Sequence, residues 1–301
     1  MLGSPFLRGK NHLMNTRSES GKILYICRPV FLYLIVSAAV SASMEALWSG
    51  GLCDWCTTGA GAALSYALRS AWSLLCIVIP AGAGCLSIRG DVRQAFSRRK
   101  PGAWPVSMQQ RALPVLLVAA VCLSMGINLL CALLAENDLP SAAGAGTVPG
   151  AEGFVLQVFV FGVYMPYIEE TLFRGILFKR IRAVLQDDEA AVSKNRKPMI
   201  GPAGAAALLS SAAFGLYHGA VLQGFYAFAM GLLFAAAYAR TGRLSVPSAL
   251  HGACNLCVLL LQWTDTFYRF CTPPWILTFF ALAGGGFFTI HQMKKHTRKK
   301  T

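Results

Sequence analysis

Two adjacent carboxylates, Glu169 and Glu170, lie inside a long apolar run and are followed by Arg174; His218 ends a second such run, and His251 with Asn255 occupies a third. An ionisable side chain within a membrane-length apolar segment costs at least about 2.5 kcal/mol to insert, so each is a functional candidate by default. Residues four apart share a helix face and successive residues diverge by about 100°, so Glu170 is expected to pair with Arg174 while Glu169 stays free. Neighbouring carboxylates repel. With Arg174 holding one ionised, the other is suited to accepting and returning a proton. His251 and Asn255, also four apart, present an imidazole and an amide to a common point, where they can donate to a developing oxyanion. His218 closes Phe214-Gly215-Leu216-Tyr217-His218, where the Phe214 ring one turn earlier can orient it.

A carboxylate, two imidazoles and an amide suffice for peptide hydrolysis by activated water. The same atoms could hold a divalent metal that acidifies bound water, and the residues alone do not separate these routes. The structural alternative is that the charged groups only tie helices together and that His218 is an interfacial polar residue. Ser210, Ser211 and Ser248 are weaker candidates as nucleophiles, because none stands in a nucleophile-elbow context.

These residues need helices to carry them. The 301 residues are 55% hydrophobic and only 13% charged, which is too apolar for an ordinary soluble domain. The expected fold is an all-α polytopic membrane bundle with eight crossings, near Ile23–Met44, Ala71–Ile88, Leu113–Ala135, Phe154–Phe178, Pro202–Tyr217, Val221–Ala239, Ser245–Trp263 and Trp275–His291. With both termini cytoplasmic, 24 of the 27 Lys and Arg fall in cytoplasmic segments when Arg28, near the inner start of the first crossing, is counted with them, as the positive-inside rule requires. That distribution also explains the net charge of +14 without nucleic acid as a partner.

The segments are read as a basic tail over 1–22, three membrane helices over 23–135, a functional core over 154–265, and a last helix with a basic tail over 275–301. The Arg89–Arg111 stretch reads as a loop at the inner leaflet. A cleaved signal peptide is the alternative for the first span, but its long apolar part and the interrupting Arg28-Pro29 favour an anchor. Cys53 and Cys56, in the first outer loop, are candidates for a disulfide with each other or with Cys271.

The motifs E-E-x-x-x-R at Glu169–Arg174, F-x-x-x-H at Phe214–His218 and H-x-x-x-N at His251–Asn255, in this order on successive apolar segments, resemble the CPBP (CAAX protease and bacteriocin-processing, also called Abi) family of intramembrane proteases. The likeness covers about residues 154–265. It implies that Glu169 is the water-activating base, His218 its partner, and His251 with Asn255 the oxyanion stabilisers, while Glu170, Arg174 and Phe214 support them. It further implies a peptide or membrane-protein substrate met at the bilayer, in a multi-pass protein of a bacterial type of plasma membrane.

Family members have been described as metalloproteases and as metal-independent glutamate proteases. The preferred reading needs no cofactor; the other is a divalent ion such as zinc on Glu169, His218 and His251. A non-catalytic immunity or surface-display factor that binds a peptide is the competing class, and a proton-coupled transporter a third.

Overall fold

The computed structural model describes residues 18–54, 58, 62–97, 104–134, 151–191 and 200–298. Regular structure among them is helical, with no strand. Helix α1 (Glu19–Leu47) starts four residues before the expected Ile23, capped by the Ser18 hydroxyl, which accepts the Gly21 N–H. Helix α2 (Ala62–Ser87) lies against α1.

Where a basic loop was expected, the chain bends by 81° and continues as α3 (Arg89–Ser97). The reason is packing: Val92 and Ala95 join the apolar cluster of Ile168, Leu172 and Phe173, leaving the charged residues on the outside. Helix α4 (Val106–Leu134) follows and packs along α9 (Pro273–Arg298), the last helix.

Residues 151–191 form one continuous helical path, α5, with helical backbone angles at its internal junctions. It loosens twice into π-helical turns, at Val160–Tyr164 and Thr171–Phe178. It also continues through Lys179–Ala191, which the sequence reading placed in a loop. Helix α6 (Pro202–Tyr217) meets α7 (Val221–Thr241) through a turn at Gly219, whose φ of +75° favours glycine. Gly242, at φ +68°, ends α7 with a left-handed cap before α8 (Ser245–Trp263). A short 3-10 turn, Phe267–Phe270, leads to α9.

Among the described residues, five helical stretches are long and apolar enough to cross a membrane: Glu19–Leu52, Val106–Leu134, Val221–Thr241, Ser245–Trp263 and Pro273–Lys295. The bent α2–α3 pair makes six. The expected figure of eight also included α6 and α5. Helix α6 is apolar but has only 16 residues, and within the expected crossing the π turns divide α5 into regular α-helical pieces of 9 and 6 residues. The described residues are thus all-helical, with five or six candidate spans by length and composition, as in a multi-pass membrane protein.

Helix α4 is the central one, with 61% of its most apolar window buried against 11% for the first and last spans. Large apolar side chains such as Phe31, Ile35, Leu277 and Phe288 face outwards from those two, as a lipid-facing surface requires. Of the cysteines considered for a disulfide, Cys56 lies outside the described residues. Cys271 is a free thiol whose Sγ lies 3.5 Å from the Leu129 carbonyl oxygen.

Candidate active site

Helices α5 and α8 touch backbone to backbone. A Cβ on Gly252 would run into the Gly162 carbonyl oxygen, and one on Gly162 would meet the Leu256 side chain. Only glycine at 252 allows this approach, whereas at 162 the Leu256 side chain would have to move aside. It sets His251 and Asn255 of α8 against the polar stretch of α5. One helical turn above the crossing, Asn255 donates an Nδ2–H to the carbonyl oxygen of Phe161, within the first π turn of α5, at 3.0 Å. An amide NH2 carries two donors, so one remains.

Glu170 and Arg174 are fully buried, with Arg174 Nη1 donating to Glu170 Oε1 at 3.0 Å. Arg174 gives Nη2 to the Gly231 carbonyl oxygen at 3.1 Å and lays its guanidinium 4.5 Å from the Phe214 ring centroid. The approach of α7 is again set by glycine, since a Cβ on Gly231 would lie 3.0–3.2 Å from Ser211 and the guanidinium. The same Glu170 Oε1 accepts the Nδ1–H of His251 at 3.1 Å. Glu170 thus does more than pair with arginine: it links Arg174 on its own helix to His251 on α8.

That contact fixes the face of His251. With Nδ1 given to Glu170, Nε2 points to Glu169, at 3.6 Å from its Oε2. Phe234 stacks on the imidazole at 4.9 Å and Phe214 meets its edge at 5.7 Å. His218 donates its Nδ1–H to the Phe214 carbonyl oxygen at 2.8 Å, and its ring packs against Phe214 at 4.7 Å. Because a carbonyl only accepts, the contact leaves His218 Nε2 as the ring's second functional atom.

Glu169, His218, His251 and Asn255 line one cavity of about 450 Å³. By their places along the helices, His251 near the start of α8 and His218 at the end of α6 would stand at different depths. The short α6 and the aromatic wedge of Phe214, which touches both imidazoles, bring them to the same space. Glu170 and Arg174 do not line it. Ser210 and Ser248 bond backbone carbonyls within their own helices, and Ser211 packs against Gly231, so none of the three serines reaches the cavity.

Sequence reading passed over a second polar group on the cavity wall. Tyr226 of α7 and Ser124 of α4 share a hydrogen bond of 2.9 Å, and Asn128, one turn from Ser124, lines the same cavity as Tyr226. An asparagine within an apolar membrane helix was the available signal. As to metal, no group of three His, Cys, Asp or Glu side chains among the described residues is arranged to hold an ion.

An all-helical membrane bundle with a buried acid–imidazole–amide site defines a class of intramembrane protein rather than a soluble enzyme. Residues 151–257 match the family model described as type II CAAX prenyl endopeptidase Rce1-like. This segment holds all three motifs and matches the CPBP, or CAAX protease, family. Neither a curated protein nor a solved structure matches the chain.

Proposed function

We propose that the chain is an intramembrane endopeptidase that hydrolyses peptide bonds of a membrane-associated polypeptide with Glu169 as general base. The observation that carries this reading is the convergence of Glu169, His218, His251 and Asn255 on one cavity, inside the segment that matches a CAAX-endopeptidase family. In the proposed reaction, Glu169 takes a proton from a water while that water's oxygen attacks the scissile carbonyl. His218 Nε2 accepts the water's other hydrogen and so aims it.

The oxyanion that forms receives the second N–H of Asn255 and, when the ring carries its second proton, the Nε2–H of His251. Collapse breaks the C–N bond, and the proton held by Glu169 passes to the leaving amine. Glu170 positions His251, and Arg174 positions Glu170; neither touches the substrate.

Eight crossings with both ends cytoplasmic, in a plasma membrane of bacterial type, complete the proposal, with α5 and α6 as the two further crossings. The substrate is a leader peptide, a CAAX-type tail or another membrane protein. The test is cleavage of a peptide library by protein purified in detergent, repeated with a chelator. Cleavage that survives the chelator supports the glutamate route. Loss that added zinc restores would replace it with a metal route, and no cleavage at all would favour the peptide-binding immunity or display factor.

A further inference from the structure

The cavity wall carries polar side chains that the proposed reaction does not use, among them Asn128 of α4 and Tyr226 of α7. Both are fixed by Ser124, which is fully buried and does not itself line the cavity. Ser124 Oγ and the Tyr226 hydroxyl share a hydrogen bond of 2.9 Å. Asn128 Nδ2 donates to the Ser124 carbonyl oxygen at 2.9 Å and lies 3.5 Å from Ser124 Oγ, with Tyr226 also within reach of Asn128. A carbonyl only accepts, so this contact fixes which way round the amide sits. Its NH2 faces back along α4, and Oδ1, which neither contact to Ser124 uses, is the acceptor that Asn128 has to offer in the cavity it lines.

The register of α4 against α8 sets this acceptor one step from the proposed oxyanion donor. Met125 and Leu129 of α4 pack in one apolar cluster with Val258 of α8, about one helical turn beyond Asn255. Asn255, Val258, Leu259 and Gln262 all line the cavity, which therefore runs along α8 from the oxyanion donor past the level of Asn128. A helical turn rises about 5.4 Å and an extended chain about 3.3 Å per residue. A polypeptide laid along α8 with its scissile carbonyl at Asn255 thus brings to Asn128 a backbone N–H one or two residues from the cleaved bond.

We infer that Asn128 is a substrate-binding residue whose Oδ1 accepts a backbone N–H of an extended polypeptide beside the cleaved bond, with Ser124 and Tyr226 as the groups that position it. This rests on the endopeptidase reading for the bond that is cut, but not for the capture of a backbone. The surroundings require such an acceptor: Ile77, Leu222, Val258 and Leu259 line the same cavity, and an N–H buried among them loses its water without a partner. A neutral amide meets that need without a second charge near Glu169, the one acid among the lining residues. A mere tie between helices does not need Asn128. Ser124 and Tyr226 already join α4 to α7, whereas the 2.9 Å bond of Asn128 stays within α4.

The experiment uses the full chain with Glu169→Gln in detergent, so that a peptide is held without being cut. Its probe is the library peptide that this protein retains best, labelled with fluorescein, and a series of that peptide replaces one backbone N–H at a time by an ester oxygen. Binding is read by fluorescence anisotropy. One ester, within two residues of the bond that the parent protein cleaves, is expected to raise Kd about tenfold, the scale of one buried hydrogen bond. With Asn128→Leu added, which removes the amide and keeps the volume, that ester should bind no worse than the unmodified peptide. A series in which no ester matters, or in which the same ester matters equally with and without Asn128, overturns the inference, since a purely structural role for Asn128 changes every peptide alike. If the leucine does not fit, as shown by loss of the thermal melt, Asn128→Ala is compared in the same way. A parent that cleaves nothing defeats the endopeptidase reading, while the ester series still decides whether Asn128 receives a backbone N–H.

Discussion

His251 divides the site into two regions that use the same residue type for different ends. On its Nδ1 side, Glu170 is fully buried, is held by Arg174 and the imidazole, and has no part in the cavity wall. On its Nε2 side, Glu169 stands at the cavity, 3.6 Å from the ring and without arginine. Adjacent residues in one helix thus become a packed charge pair and a carboxylate that lines the cavity. The difference teaches that chemistry here depends on access, and that the buried carboxylate serves by fixing the histidine that the accessible one faces.

The largest effect is expected on the packed side. Arg174→Ala leaves the Glu170 carboxylate buried without its cation, at a cost of about 3–5 kcal/mol. The purified protein should lose its cooperative melt or yield little folded material; a variant that melts like the parent would mean that the pair does not hold the helices. On the open side, Glu169→Gln keeps the shape and removes the base. Cleavage should fall by about 10²–10⁴ while the melting temperature stays close to the parent's.

Asn255→Ala comes next, because it removes a proposed oxyanion donor and the bond to Phe161. A loss of about 10²–10³ in kcat is expected, with about 1 kcal/mol of stability from the hydrogen bond. If stability falls while kcat holds, the amide is only an interhelical tie. Gly252→Ala tests whether the α5–α8 contact sets the spacing of both regions. Its methyl group strikes the Gly162 carbonyl, so a destabilisation of about 1–3 kcal/mol is expected, readable as a shift of the thermal melt. The smallest effect is that of Phe214→Leu, which removes the ring edges packed on His218 and His251 at a cost of about 0.5–1.5 kcal/mol, with a larger proportional change in kcat than in KM.

The residue types of the site were legible in the sequence, because an ionisable or amide group inside an apolar run stands out against its surroundings. The pairing of Glu170 with Arg174 was legible too, from their four-residue spacing. Its second bond, to His251, was not. It depends on how closely α5 and α8 approach at Gly162 and Gly252, a tertiary fact that spacing within one helix does not contain. For the same reason Asn255 gave no sign that one of its donors is spent on Phe161.

The element pattern was readable where hydropathy dominates, as in α4, α7 and α8. It misled where polar residues are helical through packing, as in α3 and the Lys179–Ala191 stretch of α5. The π turns, which lie beside the polar residues of α5, left no mark in composition.

The division between a holding carboxylate and a working one is tested most directly by comparing Glu169→Gln with Glu170→Gln, in purified protein, by single-turnover cleavage and thermal melting on the same samples. The first variant is expected to melt like the parent and to cleave about 10²–10⁴ times more slowly, and the second to lose thermal stability. A Glu169→Gln protein that cleaves at the parent's rate would contradict that division.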